Sequence, residues 1–321
     1  MIKAGIVGGA GYVGGELIRL LLAHPEVQIK YISSRSQTGK PISDIHRDLL
    51  GSTDLSFTDN YDTDVEVLFL CMGHGKSSEY LKKVNVSKEV VIIDLSRDFR
   101  LTEDAGTFIY GLCELNKQDI KQAQHIANPG CFSTCIQLAL LPLAAEGLLK
   151  DDVHVTAITG STGAGQKPVA TTHFSWRNNN ISIYKAFTHQ HLDEIQQSVK
   201  QLQPSFDADI NFIPMRGDFT RGIFASVYTN SDLSEEQAKK IYQNYYSDSP
   251  FVHISDSPLS VKDAVNSNNG LLYISTHDGK IRIESCIDNL LKGAAGQAVQ
   301  NMNLIFGWTE ECGLRLKTSA F

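Results

Sequence analysis

The chain opens on a short apolar block, "IKAGIVG", then a run of glycines. After these, Val13, Leu17, Leu20 and Leu21 fall on one face of a 3.6-residue repeat. This predicts a buried strand and an amphipathic helix over Gly11 to Leu22. Further stretches rich in apolar residues, "VQIKYIS", "DVEVLFLC", "VVIID" and the shorter "HIAN", predict four more strands. The polar-faced "KSSEYLKKV" between the third and fourth blocks, and a long apolar run from about Phe132 to Glu146, predict helices. Strands that alternate with helices in this way belong in a parallel, doubly wound sheet.

After residue 150 the pattern changes. "DVHVTAITG", "DINFIPMRG", "GIFASVYTN" and "GLLYISTHDGKIRIESC" alternate apolar and polar residues, as strands with one buried face do. Asp278-Gly279 is a two-residue hairpin signal. The segments "LDEIQQSVKQL" and "SEEQAKKIYQNYYS" read as helices, the second with Ser234 and Gln237 placed for a capping box. A final helix, "NLLKGAAGQAVQNMNLIFG", is closed by Gly307. The expected fold is α/β: a Rossmann-type doubly wound parallel sheet plus a second α+β domain with an antiparallel or mixed sheet.

Charge and length narrow the partners. A net charge of −7 with no long basic run disfavours nucleic acid. The longest apolar stretch ends at Glu146, too short to cross a bilayer, and the first residues lack a signal-peptide pattern. A cytoplasmic protein with no membrane partner is expected. The six cysteines contain no CxxC pair and fit no zinc pattern, so no metal is expected. A structural disulfide is disfavoured in a reducing compartment.

The glycines after the first strand form Gly9-x-Gly11-x-x-Gly14 and also Gly8-x-x-Gly11-x-x-Gly14. Placed between a strand and a helix, they predict a dinucleotide pyrophosphate at the helix N-terminus. Tyr12 and Val13 in the first turn, and Gly73 after the strand ending at Cys71, are further cofactor candidates. The second strand ends in "ISSRSQ" with no acid to bind ribose hydroxyls. Ser34, Arg35 and Ser36 suit a 2′-phosphate instead, which points to NADP (NADPH), although a solvated surface Arg competes for Arg35.

The word "ANPGCFSTC" puts Cys131 at a helix start, where free N–H groups and the dipole favour a thiolate. A buried structural cysteine is the competing reading, and the better one for Cys135. In "FTHQHLDEI", His189 and His191 are candidate partners, His191 as acid/base. In "DLSRDFRL", Ser96 and Arg100 lie after a strand, where a phosphate could bind. Asn128, Arg216 and Arg221 are candidate substrate contacts, with ordinary surface salt bridges competing for the arginines.

These words together resemble the N-acetyl-gamma-glutamyl-phosphate reductases, NADPH-dependent enzymes of arginine biosynthesis. The likeness runs through "YGLCELN", "ANPGCFSTC", "GSTGAGQKP", "HQHLDEI" and "IDNLLKGAAGQAVQNMN" and covers nearly the whole chain. It implies Cys131 as the catalytic cysteine and His191, with His189 beside it, as the catalytic histidine. It implies Gly8, Gly11 and Gly14 as the cofactor loop, Ser161 and Gly163 in a loop near nicotinamide and substrate, and Asn289 on the nicotinamide amide. It also implies a fold like glyceraldehyde-3-phosphate dehydrogenase, with residues 1–147 and 290–321 binding NADP and 148–289 forming the catalytic and oligomerisation domain. A homodimer or homotetramer acting on a small acyl phosphate is expected.

The chain departs from the family pattern at Phe132-Ser133, at Gln190 and in "RGDFTRGI". N-succinyl-glutamyl and carrier-linked aminoadipyl phosphates therefore stand as alternative substrates, and aspartyl phosphate is a separate rival against which "HQHLDEI" and "DNLLKGAAGQAVQ" argue. A non-catalytic NADP-binding sensor is the rival of another class.

Overall fold

The computed structural model describes residues 1–60 and 64–319. The chain divides into two compact units, Met1–Pro129 with Ala294–Arg315, and Gly130–Gly293 with Leu316–Phe321.

Among its described residues the first unit holds seven strands: β1 (Ile2–Val7), β2 (Val27–Ser33), β3 (Phe57–Thr58), β4 (Val67–Leu70), β5 (Val91–Asp94), β6 (Ile109–Tyr110) and β7 (His125–Ala127). Their order across the sheet is β3-β2-β1-β4-β5-β7-β6, and every pairing is parallel. The order reverses between β1 and β4, and ligands collect at such a reversal. Helix α1 (Tyr12–Leu22) buries Leu17, Ile18, Leu20 and Leu21. Helix α2 (Lys76–Lys83) follows β4. Helix α3 (Cys113–Gln122), like the two-residue strands β3 and β6, was not legible as a periodic pattern.

The second unit begins with α4 (Cys131–Ala145). Every residue from Phe132 to Ala144 is buried. Most of these residues are apolar, with Ser133, Thr134 and Gln137 the polar exceptions, and the helix packs into the core of the second unit with Val155, Phe212, Ala225 and Ile283. The sequence boundary at 147/148 grouped α4 with the dinucleotide fold, because it continues the strand–helix alternation. The packing divides the chain at 129/130 and 293/294 instead. Pro142 lies inside α4 and lacks the N–H that would reach Leu138. The Tyr246 hydroxyl donates to that carbonyl at 2.6 Å.

The remaining strands of this unit are β8 (Val153–Thr159), β9 (Ser182–Ile183), β10 (Ile210–Arg216), β11 (Ile223–Asn230), β12 (Val252–Ser255), β13 (Gly270–His277) and β14 (Lys280–Ile287). The sheet is mixed, in the order β12-β13-β14-β11-β8-β10-β9. The pairs β8–β10 and β12–β13 are parallel. The β13–β14 turn is made by Asp278 and Gly279, both at positive φ, as the hairpin signal requires. Helix α5 (His191–Leu202) and helix α6 (Glu235–Tyr245) accompany α4, and α6 carries the Ser234–Gln237 capping box. The other sheet face leaves Ile158, Ile213, Met215, Phe224, Leu271 and Tyr273 half-buried.

A π-helical turn, Leu291–Ala295, leads into α7 (Gly296–Ile305), which packs on α1 and α3 of the first unit. Gly307, at φ +73°, follows its C-terminus. Among the described residues no helix is long and apolar enough to cross a membrane.

Candidate active site

In the first unit a cleft of ≈ 600 Å³ lies at the carboxyl ends of β1, β2 and β4. Gly8, Gly11, Ser34, Arg35, Ser36 and Gly73 line it together, with Cys71, Met72 and Lys76. The glycines divide the work as the motif requires. Gly8 has φ +87°, and a Cβ there would stand 2.7 Å from the Cys71 carbonyl oxygen. A Cβ on Gly14 would stand 2.7 Å from the Gly9 Cα, so helix and loop pack only without one. At Gly11 a Cβ would have nothing nearer than 4.0 Å, which keeps the backbone open to a ligand. Tyr12 and Val13 form the first turn of α1, with Tyr12 39 % exposed. The residues therefore fit a dinucleotide. Ser34 is buried and its hydroxyl lies 3.4 Å from that of Ser36, while Arg35 is exposed at the rim. Lys76 had no sequence signal to mark it.

The phosphate candidates in this unit have other partners. Ser96 is fully buried, donates to Asp94 at 2.7 Å and accepts from the Asp98 N–H. Burial holds the Asp94 carboxyl above the usual range. Arg100 donates to the carbonyls of Asn128 and Leu95. Asn128 donates to the Ala294 carbonyl and accepts from Asn301. These three residues fasten strand ends and the last helix to the sheet. Ser96 and Arg100, the residues expected to hold a phosphate, are both buried and make these bonds.

In the second unit Cys131 is the first residue of α4, half-buried, with Gly130 as N-cap. Gly130 has no capping side chain of its own. Its N–H donates instead to Glu194 Oε2 at 2.9 Å. The other oxygen of that carboxylate, Oε1, lies 3.9 Å from His191 Nε2. One buried carboxylate thus bonds the cysteine's helix and stands near the imidazole on α5. Glu194 was missed in the sequence. The His-x-x-Glu spacing at the start of a helix was the available signal, since residues three apart share a face.

His189 also belongs to this cluster. Its Nδ1 accepts from the His191 N–H at 3.2 Å, so Nε2 carries the proton. Its ring lies 5.5 Å from both Phe132 and Phe212, 5.8 Å from Tyr184 and 4.6 Å from His191. Burial, helped by Lys185, pushes its pKa down to about 4. A neutral, wedged ring positions its neighbour better than it carries protons. Phe132 fills the same aromatic cluster with 2 % exposure, where a phenol would need a partner.

Tyr184, also missed, sits under the Arg216 guanidinium, 4.7 Å from ring centroid to Cζ. Burial first, and then the Cys131 charge, push its pKa up to about 12. The Arg216 guanidinium acts on the same hydroxyl in the opposite direction. Arg221 is different: Nε and Nη2 form a two-pronged pair with the fully buried Asp288 at 3.0 and 3.1 Å. Arg221, a candidate substrate contact, thus spends two of its donors on Asp288. Asp288 also accepts from the N–H groups of Leu290, Leu291 and Asn266, and its carbonyl accepts from Gly293. A Cβ on Gly293 would stand 2.8 Å from Cys131 Cβ, so glycine alone lets this turn reach the cysteine.

Ser161 and Gly163 lie in a 3-10 turn, Ser161–Ala164, fixed to Phe219 and Thr220 by backbone bonds. Asn289 accepts from the Gly222 N–H at 2.7 Å and donates to Thr162 at 3.0 Å. Its amide braces this loop. Cys135 is fully buried, with its thiol pushed up to about 12 by burial.

Comparison with known proteins follows the same division. Residues 3–123 match the family "Semialdehyde dehydrogenase, NAD binding domain", and residues 131–289 match "Semialdehyde dehydrogenase, dimerisation domain". In fold the chain is similar to aspartate semialdehyde dehydrogenase II of Vibrio cholerae in complex with ASA. The TM-score is 0.75 at 18 % identity, over 96 % of this chain and 98 % of that one. It is also similar to the Candida albicans aspartate semialdehyde dehydrogenase with NADP, with a TM-score of 0.71 at 15 % identity, over 95 % and 98 % of the two chains. In sequence it is 57 % identical to the N-acetyl-gamma-glutamyl-phosphate reductase of Phocaeicola vulgatus and 58 % identical to that of Bacteroides thetaiotaomicron, each over 100 % of both chains. With these full-length matches, the chain belongs to the N-acetyl-gamma-glutamyl-phosphate reductase family.

Proposed function

We propose that this protein reduces N-acetyl-gamma-glutamyl phosphate to the 5-semialdehyde in arginine biosynthesis, with NADPH as cofactor and Cys131 as nucleophile. The observation that carries the reading is the Glu194 carboxylate shared between Gly130, the residue before the cysteine, and His191.

The helix N-terminus favours the Cys131 thiolate. The thiolate attacks the acyl carbonyl, the C–O bond to phosphate breaks, and a thioester remains. Backbone N–H groups of the first turn of α4 are placed to stabilise the oxyanion. NADPH, when bound, supplies the hydride that a thioester accepts and a carboxylate does not. His191, oriented by Glu194, handles the proton as the hemithioacetal collapses and the thiolate leaves. His189, neutral, holds the first turn of α5. Arg216 takes an anionic group of the substrate.

Gly8, Gly11 and Gly14 support the pyrophosphate, and Arg35 with Ser34, Ser36 and Lys76 supports a 2′-phosphate. Ser161, Gly163 and Asn289 form a braced loop suited to the nicotinamide end. The protein works as a cytoplasmic homo-oligomer, dimer or tetramer, joined through the half-buried apolar sheet face of the second unit.

The test is phosphate-dependent reduction of NADP with N-acetyl-glutamate 5-semialdehyde, run beside the N-succinyl compound and aspartate semialdehyde. Preference for the N-acetyl compound is expected. Preference for aspartate semialdehyde, or no turnover with any of the three, overturns the reading.

A further inference from the structure

The loop after β2 sends His46 back onto the glycine turn. His46 is 5 % exposed, and its Nε2 lies 2.8 Å from the Gly9 carbonyl oxygen. A carbonyl only accepts, so Nε2 is the donor. The ring approaches so closely because residue 15 is glycine: a Cβ there would stand 2.5 Å from His46 Cε1 and 2.7 Å from Nδ1. The Phe57 ring packs at 6.2 Å on His46. Two residues further on, Asp48 receives Arg19 of α1 through two prongs, one of 2.6 Å, while Arg19 also reaches Glu16 at 3.1 Å. The loop is therefore strapped to α1 independently of His46.

The Gly9 carbonyl and the Ala10 N–H belong to one planar trans peptide, so they point in opposite directions. Drawing the carbonyl toward His46 turns the Ala10 N–H away from it. On the strand side, the N–H groups of Gly8 and Gly9 both donate to the Ser33 carbonyl at 3.0 Å. The turn is thereby held on two sides, and the 9–10 peptide has one orientation.

We propose that His46 is a positioning residue for cofactor binding, fixing the Gly9–Ala10 peptide so that the Ala10 N–H faces the dinucleotide phosphates, and that Gly15 is glycine to admit it. The inference rests on the reading of the cleft as a nicotinamide dinucleotide site. Neither His46 nor Gly15 touches the cofactor or the reacting atoms.

The experiment compares the full-length native chain with His46→Ala, His46→Gln and Gly15→Ala. It combines fluorescence titration with NADPH and steady-state kinetics. His46→Ala should raise the Kd and KM for NADPH about tenfold, the size of one hydrogen bond to an ordered peptide. The kcat at saturating NADPH and the KM for acyl phosphate should stay within about twofold. His46→Gln, whose amide N–H can donate to the same carbonyl, should recover most of the NADPH affinity. Gly15→Ala should reproduce His46→Ala.

An unchanged Kd for NADPH in His46→Ala overturns the inference. So does a Gln variant no better than Ala, or a fall in kcat matching the rise in KM. If the native chain itself fails to bind NADPH, the cofactor reading is what fails, and titration alone reveals that without any acyl substrate.

Discussion

Glu194 Oε2 accepts a hydrogen bond from the backbone N–H of Gly130 at 2.9 Å, and this contact joins the cysteine-bearing helix to the histidine-bearing one. It caps a helix that has no capping side chain of its own and leaves the second carboxylate oxygen facing His191. Replacing Glu194 by Gln keeps an acceptor for Gly130 but removes the charge. The expected result is a loss in kcat of about tenfold or more, with the pH–rate profile displaced to lower pH, because a nearby anion favours the imidazolium. Glu194→Ala should also lower the melting temperature. A Gln variant with native kcat and pH profile would leave Glu194 as a cap alone.

Cys131→Ser should lower phosphate-dependent turnover at least about 10³-fold. Binding of NADPH should persist, since no cleft residue changes. In the native chain, iodoacetamide should label this thiol first, and acyl substrate should protect it. Substantial activity in the Ser variant would remove the covalent step.

His189 makes stability depend on pH. Its folded pKa of about 4 lies below the ordinary histidine value of 6.5, because burial disfavours the charged ring. Between those values the unfolded chain binds a proton that the folded chain does not, so stability falls as pH drops from 6.5 toward 4. The effect is on the order of 2 kcal/mol. His189→Asn keeps an acceptor for the His191 N–H and should flatten this part of the curve. Urea titrations at pH 4.5, 5.5 and 7 measure it, and an equal slope in both proteins would refute the assignment.

Arg35→Ala should raise the KM for NADPH about tenfold while leaving that for NADH unchanged, since only the former has a 2′-phosphate to pair with a guanidinium. Parallel kinetics with the two coenzymes decide the point. Equal losses with both would place Arg35 elsewhere than at the 2′ position.

Arg221→Ala strands the fully buried Asp288 carboxylate and should cost about 3 kcal/mol in denaturant unfolding. Because Asp288 anchors the turn that carries Gly293 against Cys131, the rate of Cys131 alkylation should change as well. A stability loss with an unaltered alkylation rate would confine Arg221 to folding.

Local pattern alone determined much of this protein. The apolar blocks, the glycine loop, the Asp278–Gly279 hairpin and the Ser234 cap are each specified by neighbouring residues, since period, turn angles and caps are short-range physics. The placing of Cys131 at a helix start was legible for the same reason. What the tertiary structure decided was who meets whom. Arg100 and Arg221 look alike in sequence to Arg216, but two of them are consumed by carbonyls and a buried carboxylate, and one stands beside Tyr184. Glu194 bonds the residue before Cys131, and Gly293 packs against Cys131 itself, from 63 and 162 positions away along the chain. Helix α4 reads as the continuation of one alternating pattern, yet its largely apolar surface, buried on every side, commits it to the other core. Such choices depend on burial and on pairing across long loops, and no window of consecutive residues contains them.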